Sequence, residues 1–142
     1  MTGSDREAAW TPLFLAWLAA AGATLAALFI GEVMGITPCV LCWYQRIAMF
    51  PLVLILAAGL FPLDPRVVRY ALPLALAGWG VALWHVGLVA GWVAENAVPC
   101  RQGVSCKDQV VLFGFVNLPA LSLLAFSFIV AMLVMAHRKG QP

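Results

Sequence analysis

The chain has 142 residues, of which 64% are hydrophobic and only 10% charged, and its formal net charge is +2. Globular chains hold about 45–50% apolar and 25% charged residues, so a water-soluble domain of this size could not cover its core with polar surface. The small charge, with no block of Lys or Arg, also argues against nucleic acid as a partner. A lipid bilayer is the expected solvent.

The first uncharged run covers residues 13–31. A hydrocarbon core of about 30 Å takes about 20 helical residues to cross, and lipid cannot satisfy an open backbone, so such a run predicts a spanning helix. Ala21-Gly22-Ala23 looks like a leader cleavage site, but Asp5 and Glu7 stand beside Arg6 in the leading segment. The run also exceeds the roughly 7–15 residues of a leader's apolar core, so a retained span is expected. Glu32 falls near the outer end of this helix and is read as interfacial, with a weaker claim to proton relay.

Next comes Thr37-Pro38-Cys39-Val40-Leu41-Cys42-Trp43-Tyr44-Gln45-Arg46, leading into a second span over residues 45–63. Thr is a favourable N-cap and Pro a favourable first helical residue, which predicts Cys39 and Cys42 in the opening turn of the second helix. Three residues apart, the two share a face. There the positive end of the helix dipole favours a thiolate. Arg46 lies one turn deeper on the same face, where a cation lowers a thiol pKa or holds an anionic partner. Its plainer reading is an anchor to lipid headgroups, with Trp43 and Tyr44 forming an aromatic belt.

Residues 64–69 form a short link carrying Arg66 and Arg69, and the third span is expected over 70–94. His85 is the one ionisable group well inside a span. Such residues face a bundle interior, either hydrogen-bonded for packing or serving a functional pocket. Gly78 and Gly80, with Ala77 and Ala82, give this helix a small-residue surface for close packing. The link that follows holds Cys100 and Cys106, and a fourth span is expected over 111–136, with Asn117, Ser122 and Ser127 available to bond neighbouring helices. Period-two alternation is absent, which disfavours a β-barrel. The expected fold is therefore an all-α membrane protein, a four-helix transmembrane bundle forming one integral membrane domain over residues 1–142.

Orientation follows from positive charge. Arg66 and Arg69 in the middle link, and Arg138 and Lys139 after the fourth span, place that link and both termini in the cytoplasm. Both cysteine links then lie outside, in an oxidising compartment where disulfides persist. Structural bridges, a redox-active pair and a zinc site all remain open on spacing alone. A CxxC bridge closes so short a loop that it constrains the unfolded chain little, which tilts the first pair toward switching. Two pairs near each other can pass oxidising equivalents by thiol–disulfide exchange. A final acceptor is then needed, and the chain has no CxxCH haem motif and no Gly-rich dinucleotide fingerprint. A quinone dissolved in the bilayer matches the location and the two-electron count.

The string from Cys39 to Arg46, with four spans around it and a second cysteine pair before the fourth, resembles the disulfide bond formation protein B family, DsbB, in its shorter BdbC-like form. The resemblance covers nearly the whole chain. It implies a bacterial inner-membrane, multi-pass oxidoreductase that reoxidises an extracytoplasmic DsbA-like, thioredoxin-fold thiol oxidase and delivers the electrons to ubiquinone or menaquinone. Matched by order along the chain, Cys100 would form the mixed disulfide with the partner and Cys106 would exchange with Cys39. Cys42 would meet the quinone beside Arg46; His85, read from its place inside the third span, would line the same pocket in its functional reading. The alternatives are a vitamin K epoxide reductase-like thiol oxidoreductase and a non-enzymatic membrane protein with stapled loops. No metal is expected.

Overall fold

A computed structural model describes residues 3–97, 104–107, 111–112 and 114–140. Four helices long and apolar enough to cross a membrane dominate it. Helix α1 covers Gly3–Leu28 and widens into a π-helical turn at Phe29–Val33. Helix α2 covers Val40–Leu60, α3 Val68–Val89 and α4 Leu118–Lys139. Each helix packs on its two neighbours in sequence, α1 closing the ring against α4. The result is an antiparallel square bundle. Gly140 at the end of α4 lies against Pro65 in the α2–α3 link, so the basic Arg66, Arg138 and Lys139 gather at one end. Cys39, Cys42 and Cys106 occupy the other.

The core follows heptad-like spacing. Ala71, Ala75, Gly78, Ala82 and His85 form the buried stripe of α3, and Phe126, Ile129, Leu133 and Ala136 that of α4. In lipid, helices associate through close packing more than through expulsion of water, and small residues permit the approach. Gly78 shows why: an added Cβ would overlap the Phe126 ring. The expected small-residue surface of α3 is thus half right. Gly78 and Ala82 are buried, while Ala77 and Gly80 are exposed.

Four boundaries differ from the expectation. The first helix begins at Gly3, ten residues before the expected start at 13. The second helix starts at Val40, with Cys39 as its N-cap (φ −72°, ψ 171°), not with Thr37 and Pro38. Residues 35–39 have no regular structure, and Cys39 is only 3% exposed beside Leu88 and Cys106; tertiary packing overrides the local capping signal. The third helix stops at Val89 instead of residue 94. Gly91 adopts φ +80°, and the amides of Gly91 and Trp92 donate to the carbonyls of Leu88 and Gly87, a Schellman closure. The fourth starts at Leu118 instead of 111. Val111–Leu112 and Val116–Asn117 pair as a two-residue antiparallel ladder. Asn117 then caps α4 by accepting from the Ala120 amide at 3.3 Å, with Pro119 in the first turn.

Candidate functional site

At the outer end of the bundle the start of α2 brings two sulfurs together. Cys39 and Cys42 are both free thiols, their Sγ atoms 3.3 Å apart and sharing a hydrogen bond. One turn of helix separates them, so the shared face expected from their spacing is what permits this contact. The hydrogen bond from Cys42 is the largest influence on Cys39 and brings its pKa down to about 4, against the opposing effect of burial. Cys39 is therefore the thiolate of the reduced pair at neutral pH. The sulfur that ionises first sits at the helix N-cap, where the dipole is most favourable.

Cys106 is disulfide-bonded and 3% exposed, and it packs into one buried cluster with Cys39, Leu41 and Leu88. The fold thus places a disulfide sulfur from the outer link beside the thiolate side of the CxxC pair. Cys100, the other member of the second pair, lies outside the described residues.

His85 comes from α3 and is 3% exposed. Its ring nitrogens and the two sulfurs of the CxxC pair include three potential ligand atoms mutually within 4.8 Å. Such a set is chemically able to hold a thiophilic ion. Both nitrogens are already engaged, however. Nε2 lies 3.1 Å from the Cys106 carbonyl oxygen, and Nδ1 lies 3.2 Å from the amide nitrogen of Gln45. A carbonyl only accepts, so Nε2 donates, and the neutral ring then accepts the Gln45 amide at Nδ1. Gln45 is itself buried, and its Oε1 accepts the Ser122 hydroxyl from α4. A continuous chain of hydrogen bonds therefore runs Ser122 to Gln45 to His85 to the backbone at Cys106. It joins α4, α2, α3 and the outer link.

Below the sulfurs lies a cavity of about 400 Å³. One wall is α1, where Ala19, Gly22, Ala23 and Ala26 recur at helical spacing and leave room by their small size. Cys42, Gln45, Arg46, His85 and Ser122 supply its polar groups, and Phe50 and Phe126 are among its apolar lining. Cys39 does not reach it. Of the predicted site residues, Cys42, Arg46 and His85 converge on this cavity, and Cys39 and Cys106 meet just above.

Arg46 is half-buried. Its Nη2 donates to the Ala27 carbonyl at 2.8 Å, and its Cζ lies 5.5 Å from the Trp43 ring centroid in a cation–π contact. Gly31, in the π-helical turn of α1, makes room for it: a Cβ there would lie 3.0 Å from Nη2 and 3.3 Å from Nη1. π-turns inside helices occur often at functional sites, because they displace carbonyls from the regular ladder. Trp43 and Tyr44 are about half exposed, as an interfacial belt requires, yet Trp43 also steadies the guanidinium. Glu32 is exposed.

Sequence reasoning missed Gln45, Ser122 as its partner, and the α1 wall. Gln45 was legible as a buried-type polar residue between two singled-out neighbours. Gly22 and Ala23 fall in a leader-like string, although their recurrence with Ala19 and Ala26 marks a helix face. Ser127 does bond a neighbouring helix, accepting Trp79 Nε1–H at 2.9 Å, whereas Asn117 serves as a cap.

The family model of disulfide bond formation protein DsbB matches residues 9–136. A probable disulfide formation protein from Metapseudomonas resinovorans is 49% identical over 135 residues, covering 94% of each chain. Disulfide bond formation protein C of Bacillus subtilis (strain 168) is 40% identical over 132 residues, 91% of this chain and 93% of that one. A probable disulfide formation protein C 2 from Bacillus cereus is 42% identical over 120 residues, 84% of this chain and 86% of that one. No solved structure matches the chain.

Proposed function

The chain belongs to the disulfide bond formation protein DsbB family, and from that premise we propose that it reoxidises a DsbA-like thioredoxin-fold thiol oxidase outside the cytoplasmic membrane and passes the electrons to a membrane quinone. Membership makes it a helical membrane thiol–disulfide oxidoreductase. The observation that carries the finer reading is the stack of Cys106, Cys39, Cys42 and cavity in that order.

The exchange balances as two displacements. With the second pair reduced by the partner, the Cys106 thiolate attacks the Cys39–Cys42 disulfide at Cys39, and Cys42 leaves as a thiolate. Cys100 then attacks Cys106, re-forming the second disulfide and releasing Cys39 as a thiolate. Two electrons have moved inward. A disulfide at Cys106 with free thiols at Cys39 and Cys42 is the pairing that this step would leave behind.

The cavity fits a quinone headgroup. It is apolar with a few convergent polar groups, and its volume lies within the roughly 300–1,000 Å³ usual for small-molecule sites. When bound, a quinone supplies an acceptor for two electrons and two protons. Arg46 has guanidinium donors beyond the one given to Ala27, and they can hold a carbonyl oxygen in the cavity. Cys42 presents its sulfur to the same space, and His85 and Gln45 bound it on the outer side. The α1 wall and Phe50 give it an apolar lining. The reading places the basic end of the bundle, with Arg66, Arg69, Arg138 and Lys139, in the cytoplasm.

The test is purified protein in lipid, supplied with a reduced DsbA-like partner and with ubiquinone or menaquinone analogues. Quinol should form in step with partner disulfide. Absence of coupling with either quinone would remove the proposal.

A further inference from the structure

The hydrogen-bonded chain from Ser122 to the Cys106 backbone has no part in electron transfer as described, yet it links three of the four helices to the outer link. Its members sit where unpaired polar groups are costly: Gln45 is 7% and His85 3% exposed. Each link also fixes the direction of the next. The Ser122 hydroxyl donates to Gln45 Oε1, which turns the Gln45 amide nitrogen toward Nδ1 of His85 at 3.2 Å. Nδ1 must then accept, so the ring carries its proton on Nε2 and donates it to the Cys106 carbonyl at 3.1 Å. Cys106 belongs to the outer link, and this bond ties its backbone to α3.

We propose that Gln45 and Ser122 are positioning residues that orient His85 so that it clamps the Cys106 backbone over Cys39, holding the two sulfurs within exchange reach. The inference rests on the electron route given above and deepens it. The clamp acts on the protein-to-protein half of the route, the displacement at Cys39 by Cys106. Its physical content is effective concentration: a thiolate and a disulfide held in register exchange faster than the same groups on a loose loop. Losing one buried link leaves a donor or acceptor without a partner, and the resulting cost corresponds to roughly a tenfold drop in the docked population.

The test uses full-length protein in lipid with Cys42→Ser and Cys100→Ser, so that only Cys39 and Cys106 can pair. Mild oxidation should join them, and mass mapping of the Cys39–Cys106 disulfide gives its rate of formation. Ser122→Thr keeps the hydroxyl, and Ser122→Val keeps the shape of Thr without it. Thr should preserve the rate and Val should lower it about tenfold, with Gln45→Leu giving a similar loss. Because Thr and Val share their added bulk, a packing defect moves both alike. Equal rates for Thr and Val, with Gln45→Leu undiminished, overturn the clamp alone. Failure of Cys39 and Cys106 to join with Gln45 and Ser122 intact overturns the electron route beneath it.

Discussion

The guanidinium of Arg46 lies flush on Gly31, close enough that a Cβ at position 31 would stand 3.0 Å from Nη2. The π-helical turn around Gly31, the Ala27 carbonyl and the Trp43 ring together form a seat for one cation at the rim of an apolar cavity. An arginine needed only as a headgroup anchor would not require a glycine under it.

The seat gives a paired prediction. Arg46→Ala should raise KM for quinone roughly tenfold or more, the scale of a lost charge-assisted hydrogen bond, with a smaller effect on kcat. Gly31→Val should reproduce part of that rise by displacing the guanidinium without removing it. Steady-state titration with quinone checks both, and unchanged KM in each would return Arg46 to an anchoring role.

The hydrogen bond between the free thiols predicts an acid-stable thiolate. Thiolate ultraviolet absorbance of the reduced protein should titrate with a midpoint near 4 and be assigned to Cys39. Because the folded pKa lies below the ordinary thiol value, this group stabilises the fold fully above about pH 9, and the contribution disappears as pH falls through 4. Cys42→Ala removes the donor, so the midpoint should move upward toward an ordinary thiol. A midpoint unaffected by that change would assign the low pKa to another cause.

Close packing of α3 on α4 predicts a stability effect away from the chemistry. Gly78→Ala places a methyl into the Phe126 ring and should cost about 1–3 kcal/mol, the usual scale of overpacking. Phe126→Leu in the same chain should recover part of the loss. Thermal unfolding in detergent measures each, and a Gly78→Ala protein as stable as the parent would show that the interface yields more easily than its geometry implies.

The bundle was legible because lipid imposes a length and a polarity that composition displays directly; Cys39, Cys42, Arg46 and His85 stood out for the same reason. The boundaries were less legible. Apolar character continues past the helix ends, so residues 111–117 looked like span although Gly114 and the Asn117 cap break the helix there. Cys39 falls at the N-cap because tertiary burial beside Cys106 outweighs the Thr37-Pro38 signal. Gln45 and Ser122 stayed hidden because they are 77 residues apart in the chain, and only the fold shows that one completes the other.

Removal of either sulfur of the first pair separates redox from stapling. Cys39→Ser and Cys42→Ser should each bring partner-dependent quinone reduction down to the background rate, since the thiolate is the reactive species. Undiminished turnover in either variant would show that the CxxC pair only braces the loop.

The most direct test follows the electron pair itself. Fully oxidised protein in lipid is mixed with one equivalent of reduced partner, quenched with acid and alkylated, and each cysteine is scored by mass mapping. Without quinone, the thiols should collect on Cys39 and Cys42 while Cys106 returns to its disulfide, and adding quinone should restore the Cys39–Cys42 disulfide with one quinol per pair. Thiols that remain on Cys106, or a Cys39–Cys42 pair that stays reduced in the presence of quinone, would contradict the route.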